Sequence, residues 1–318
     1  MNRAKGFIGK PRHQAIPQLC GRCHSDAAYM KRFNPTIRVD QVQEYFTSVH
    51  GKRLRTGDQK VATCISCHDV HKIRAIKDQQ AWTYPVKVVE TCGRCHGDAK
   101  YMQGYKIATD VVEKYKKSVH YEALTKKGDL SAPTCNVCHG NHGATPPGVD
   151  SVANVCGTCH SLTADFFNQS PHKKAFAAMG LAPCVTCHSN HDVMKPSDSM
   201  VGTDEKAVCV NCHDPKSPGY QKAAAIRASL DELRGAVQRA TAILGRAEHA
   251  GMEVSQPKFE LRGATDALLK TRATVHQFDS AAIKKLSDEG IQIANKMYDK
   301  GVKAMEDLKF RHRGLWIS

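Results

Sequence analysis

Apolar positions keep a regular helical spacing in only one part of the chain. From about residue 219, Ile226, Leu230, Leu233, Val237 and Leu244 recur at the three- and four-residue steps of one helix face, and this stripe is expected to stop near Gly251. Leu261, Ala264, Leu268 and Val275 mark a second stripe, opened by Pro257 as a first-turn residue. Ile283, Leu286, Ile293, Met297, Met305 and Leu308 mark a third, with Asp279 or Ser280 as its cap. Three amphipathic helices with short connections predict an antiparallel hairpin or bundle over 219–318. Nothing in that segment resembles a catalytic set, which points to a structural or oligomerising role.

Residues 1–218 keep no such period. A different repeat takes its place, the string Cys-x-x-Cys-His, which is the attachment signature of c-type haem. It occurs seven times, as Cys20-Cys23-His24, Cys64-Cys67-His68, Cys92-Cys95-His96, Cys135-Cys138-His139, Cys156-Cys159-His160, Cys184-Cys187-His188 and Cys209-Cys212-His213. Together the copies use all 14 cysteines. Zinc ribbons and disulfide frameworks share the cysteine spacing, but neither needs a histidine directly after the second cysteine of every pair. The expected cofactor is therefore seven covalent haem c groups, with the 14 cysteines as attachment points and the seven motif histidines as proximal iron ligands.

The motifs fall into two alternating kinds. One reads "LCGRCHSDAAYM" at 19–30 and "TCGRCHGDAKYM" at 91–102, with "VCGTCHSLTADF" at 155–166 a looser copy and "VCVNCHDPKSPG" at 208–219 a remnant. The other joins an upstream histidine to CxxCHxxH, as in "SVHGKRLRTGDQKVATCISCHDVH", "SVHYEALTKKGDLSAPTCNVCHGNH" and "SPHKKAFAAMGLAPCVTCHSNH". The chain thus reads as three two-haem modules and one closing haem over 1–218. First-kind cysteines are separated by 72, 64 and 53 residues, so the linkers shorten while the haem-binding segments do not. About 31 residues per haem leave little room for a side-chain core, and the porphyrins must supply buried apolar surface. The expected fold is mainly α, with short helices beginning near the motifs, long irregular stretches and almost no sheet. Pro/Gly punctuation such as "GATPPG" at 143–148 fits that picture.

The histidine three residues beyond each second-kind motif sits on the proximal side of its own haem. Its ring reaches a neighbouring iron more readily than its own, so His71, His142 and His191 are expected to staple one haem's peptide to another haem. The upstream His50, His120 and His172 are the other distal ligands expected from the repeat. The seventh haem lacks both devices, and His276, beside Val275 at the end of the second tail stripe, is assigned as its distal ligand. Met30 and Met102 recur in register, with Phe166 in the third copy, and are read as packing on porphyrin.

A formal net charge of +15 would ordinarily point to nucleic acid or an anionic surface. Two propionates on each of seven haems bring the reduced holoprotein to about +1, and seven ferric irons to about +8, so no nucleic-acid partner is expected. Haem attachment of this type is completed outside the cytoplasm, which places the protein in the periplasm or extracellular space. "MNRAKGFIGKPRHQ" has no apolar region of a signal peptide, and no run approaches the roughly 18 to 20 apolar residues of a membrane span. The reading is that an export signal was removed or that a longer chain exists, with an anchor able to come after "KFRHRGLWIS".

The array resembles multihaem c-type cytochromes of the cytochrome c3 family with doubled CxxCH motifs, and more loosely the electron carriers around multihaem nitrite and hydroxylamine enzymes. The resemblance spans residues 19–213 through the motifs, and "ATVHQFD" before the last helix looks like that group's helical tail. It implies low-spin bis-histidine haems passing electrons between a quinol-side donor and a terminal reductase or extracellular acceptor. The related nitrite reductases carry a CxxCK haem, whereas all seven motifs here end in His. Electron carriage is thus the leading expectation, with no catalytic residues. A multihaem oxidoreductase with one open haem, placed at the seventh motif, and a homo-oligomeric cytochrome filament are the alternatives.

Overall fold

The computed structural model describes residues 9–146 and 152–314. The chain is mainly α-helical, and no strand is found among the described residues. The Gly/Pro stretch at 143–148 extends beyond the described residues. Two compact units are present, Met1–Val155 with His188–Lys195, and Cys156–Cys187 with Pro196–Ser318. This division falls inside the motif array and does not coincide with the change in composition at 218/219.

In the first unit the two kinds of motif fold differently. First-kind motifs end a longer helix, in Ile16–His24 and Pro85–His96. Each of these helices opens with a proline at its start and buries an apolar pair, Ile16 with Pro17 and Val88 with Val89. The helix is therefore fixed upstream, and the motif rides its last turn rather than beginning it. An aspartate two residues past the proximal histidine then caps the next turn. Asp26 accepts from the Tyr29 amide and Asp98 from the Tyr101 amide, both at 2.9 Å. Second-kind motifs are single-turn helices of their own, Cys64–His68 and Cys135–His139, entered from buried Thr63 and Thr134. A small core of Tyr45, Leu54 and Val61 lies beneath the first of them. The Tyr45 hydroxyl donates to the Ala62 carbonyl, and Tyr115 repeats the bond to Pro133, both at 2.8 Å.

In the second unit the tail forms three helices, Pro218–His249, Ser255–Thr274 and Ser280–Gly314. The third packs against both others. Ile226, Leu230 and Leu233 pack with Leu268, Val275 and Ile283, while Leu244, Leu261, Ala264 and Met297 belong to a second cluster. Close approach is enforced by glycine, since a Cβ on Gly290 would lie 2.7 Å from Leu233 Cδ1. Asp279 caps the third helix by accepting from the Ala281 and Ala282 amides. The segment leading to the last CxxCH is tied to this bundle through Asp198, whose carboxylate is 7% exposed. It accepts two bonds of 2.8 Å from Arg272 and one of 3.2 Å from Arg234. The Arg272 hydrogen bonds, then its charge and that of Arg234, hold the Asp198 carboxyl below the usual carboxylate range.

Candidate haem-binding site

The three upstream histidines hold the same local position. Each is the second residue of a short helix, in Val49–Arg55, Val119–Lys126 and Pro171–Met179. The preceding Ser48, Ser118 and Ser170 are buried, and the first two accept the amide of Gly51 and Tyr121 as helix caps. The histidine is thereby held in the first turn, beside the buried cap.

The +3 histidines are aimed by the backbone. The residue directly after each second-kind proximal histidine has positive φ: Asp69 at 70°, Gly140 at 80° and Ser189 at 65°. The chain reverses there and carries His71, His142 and His191 away from the motif helix. Asp69 combines φ 70° with ψ 179°, a region nearly confined to glycine, so its conformation is strained. The His142 and His191 loops are anchored to the upstream-histidine helices of the preceding module. Ala144 O accepts from the Val49 amide at 3.1 Å, and Val193 O from the Val119 amide at 2.9 Å.

These devices bring histidine rings together in pairs. In the first unit His68 faces His142 with ring centroids 6.1 Å apart and planes 15° apart. His139 faces His191 at 5.9 Å and 11°, and His96 faces His50 at 6.1 Å and 57°. In the second unit His213 faces His172 at 5.9 Å and 84°. Every pair joins one motif histidine to one histidine of the repeat. The +3 ring serves the second-kind motif before its own, and the upstream ring serves the first-kind motif after the next cysteine pair. Spacing along the chain does not say which neighbour a ring reaches, so this register is visible only in the fold.

The fit to an iron can be tested on those separations. A transition-metal bond to imidazole nitrogen is about 2 Å, and two such bonds in line, with the inner part of each ring, span close to 6 Å. Burial, as the largest cause, lowers the pKa of His50, His68, His96, His142, His172 and His191, which favours the neutral imidazole that binds metal. No cluster of three or more His, Cys, Asp or Glu suited to a bare metal ion occurs among the described residues. The residues present fit porphyrin-held iron between two axial imidazoles.

The cysteines add an order. Cys20 lies beside Cys64 and Cys92 beside Cys135, while Cys67 is near Cys95. In the second unit Cys156 adjoins Cys184, and Cys187 is near Cys209 and Cys212. First cysteines meet within a module and second cysteines meet between modules. A thioether ties each cysteine to a porphyrin edge, so the same contacts would set successive porphyrin edges side by side within each unit.

Residues 169–218 match the family model of the doubled CXXCH motif. That stretch holds His172, the sixth and seventh motifs, and both rings of the His172–His213 pair. The match supports a multihaem c-type cytochrome. No curated protein and no solved structure matches the chain.

Four sequence expectations meet the geometry in other ways. His276 is expected opposite His213, but His172 stands there. The cause is the register, which passes His50 and His172 forward to the next first-kind motif and so provides for the seventh. His276 lies in the short turn Val275–Gln277, with Nδ1 3.0 Å from the Ala273 carbonyl. His71 is exposed and pairs with no ring among the described residues. His24 is exposed as well; it lies near His68 and His142 but forms no ring pair among the described residues. His120, His160 and His188 sit in register in the helix Val119–Lys126, before Ser161–Gln169 and at the end of Val185–His188. Of the unrepeated histidines, His13 bonds through Nε2 to the Val61 carbonyl, His249 bonds to Gly245 O, and His312 is exposed.

One residue carries no sign of its role in the motif spacing. Ser217-Pro218-Gly219 repeats Ser170-Pro171-His172, with glycine where the upstream histidine would be. Ser217 accepts the Tyr220 amide as the other caps do. A Cβ on Gly219 would fall 2.1 Å from His213 Nδ1, so the proximal ring of the last motif occupies that space. Alignment on the Ser-x-His cap rather than on the cysteines would have shown the substitution.

Proposed function

We propose that the protein is an electron carrier with seven covalently attached c-type haems, mostly of bis-histidine ligation. The observation that carries the reading is the set of four motif-to-repeat histidine pairs, 5.9 to 6.1 Å apart and in one register. Six-coordinate iron binds no substrate, and closely placed porphyrin edges suit transfer from haem to haem. The distal ligands are His142 for the second haem, His50 for the third, His191 for the fourth and His172 for the seventh. His120 remains a proposed distal ligand by its place in the repeat, and His276 a proposed ligand to an iron other than the seventh. The setting is extracytoplasmic, with a quinol-side donor and a reductase or extracellular acceptor as partners. No helix among the described residues is long and apolar enough to cross a membrane. Intact mass should show seven haem additions, and the ferric protein should be low-spin apart from at most one haem. A smaller haem count at full loading, or mostly high-spin iron, would overturn the reading.

A second reading has one observation in its favour. The open haem of an oxidoreductase would sit at the first motif, where His24 is exposed and forms no ring pair among the described residues. Carbon monoxide should then bind one reduced haem in seven of the native protein. No binding would remove this alternative.

A further inference from the structure

The four ring pairs differ in one respect that the register does not require. Their planes are 11°, 15°, 57° and 84° apart, and the nearly crossed pair is His172 with His213. A metal-bound histidine is usually oriented by a hydrogen bond from its second ring nitrogen. His172 Nδ1 is buried without such a partner among the described residues. Aromatic rings hold it instead: Phe278 lies 3.9 Å from it, centroid to centroid and 40° inclined, and Phe176 meets it edge-on at 5.7 Å.

Phe278 is itself in an unusual place. It adopts φ 55° and ψ 28° at the end of the turn Val275–Gln277, a left-handed conformation that a bulky residue rarely takes. Glycine would adopt it without strain. Across the pair, His213 fills the space left by the missing Cβ of Gly219. The two rings are thus held by contacts that none of the other three ring pairs shows among the described residues.

We infer that Phe278 is a positioning residue that locks the axial imidazoles of the seventh haem in crossed planes and makes that haem electronically distinct. The inference rests on the haem reading above. Low-spin ferric iron has one hole in its three lower d orbitals. Parallel imidazoles both raise the same orbital, and the hole settles there, which stabilises the ferric state. Crossed imidazoles raise two orbitals alike, so that stabilisation is lost. The near-degenerate pair keeps orbital angular momentum, which gives a strongly anisotropic g tensor. The seventh haem should therefore show a low-spin signal at lower field than the second and fourth, and ligand geometry should favour its reduced state.

The test is electron paramagnetic resonance of the fully oxidised holoprotein, with haem counted by intact mass. The expected result is a strongly anisotropic low-spin signal, assigned to the seventh haem by its response to the variants below, beside rhombic low-spin signals from the second and fourth. Phe278→Gly should move or abolish that signal while every haem is retained. It should also lower the midpoint potential of the same haem. A merely structural role predicts otherwise, because glycine relieves the backbone strain and leaves the spectrum alone. Phe278→Leu keeps apolar bulk without the ring face and should shift the signal too, which covers loss of haem in the glycine variant. An unchanged spectrum in fully loaded variants, or no anisotropic signal in the native protein, would overturn the inference. Incomplete haem loading or mostly high-spin iron in the native protein would instead count against the functional reading.

Discussion

Gly219→Ala places one methyl group against the ring of His213. The added Cβ would stand 2.1 Å from His213 Nδ1, 2.3 Å from Cε1 and 2.7 Å from Cγ. Ordinary contact between such atoms is about 3.5 Å or more, so ring and helix must part by about 1.4 Å. Gly219 is the second residue of the Pro218–His249 helix, and its φ is not positive. Alanine there would by itself add roughly 0.5 to 1 kcal/mol of stability. Overpacking of a fixed site costs about 1 to 3 kcal/mol, and an imidazole held by iron, as proposed, and by its motif would lie toward the top of that range. The net expectation is a loss of about 2 kcal/mol, opposite in sign to the helix effect. Denaturant unfolding of the oxidised holoprotein, monitored by far-ultraviolet circular dichroism, reads this directly, and the seventh haem's ferric signal should shift with it. A fully loaded Gly219→Ala protein as stable as the parent, with an unaltered spectrum, would refute the placement of His213 against this helix.

The geometry sets three further outcomes. His142→Ala should open one reduced haem to carbon monoxide beyond the native number, whereas His71→Ala, which removes an exposed unpaired ring, should add none; equal gains would contradict the register. Asp198→Ala should destabilise the second unit by about 1 to 2 kcal/mol, because Arg272 and Arg234 lose their charged hydrogen-bond partner but stay partly solvated. Since the folded carboxyl titrates below its ordinary value, that contribution is complete above about pH 4 and fades as pH falls through the depressed folded value, so the native-to-variant difference should shrink in acid; a difference constant with pH would exclude the ion pair as its source. Asp69→Gly should stabilise by about 1 kcal/mol through relief of the glycine-like backbone, with no change in the haem spectrum, and calorimetry showing a lowered Tm would contradict this.

The helical tail is readable in the sequence because its information is local. Leu230, Leu233, Leu268 and Ile283 bury the face their spacing marks, and Asp279 caps where it is expected to. The motifs are readable because thioether attachment demands adjacent residues. Ligand pairing is not, since His68 and His142 stand 74 positions apart and nothing in either segment names the other. Positive φ at Asp69, Gly140 and Ser189 aims the +3 rings, but only the glycine advertises that conformation in sequence. The assignment of His276 opposite His213 fails because it looks for the seventh motif's partner downstream, when that partner, His172, lies 41 residues before. Gly219 is silent in the sequence because a glycine that makes room for a ring leaves no chemical signature.

The most direct test of the central claim is an anomalous difference map at the iron edge from crystals of the holoprotein. Iron peaks should fall between His68 and His142, His96 and His50, His139 and His191, and His213 and His172, about 2 Å from a nitrogen of each ring. Peaks bound to the motif histidines but with His142, His50, His191 and His172 turned away, and other side chains in their place, would contradict the account.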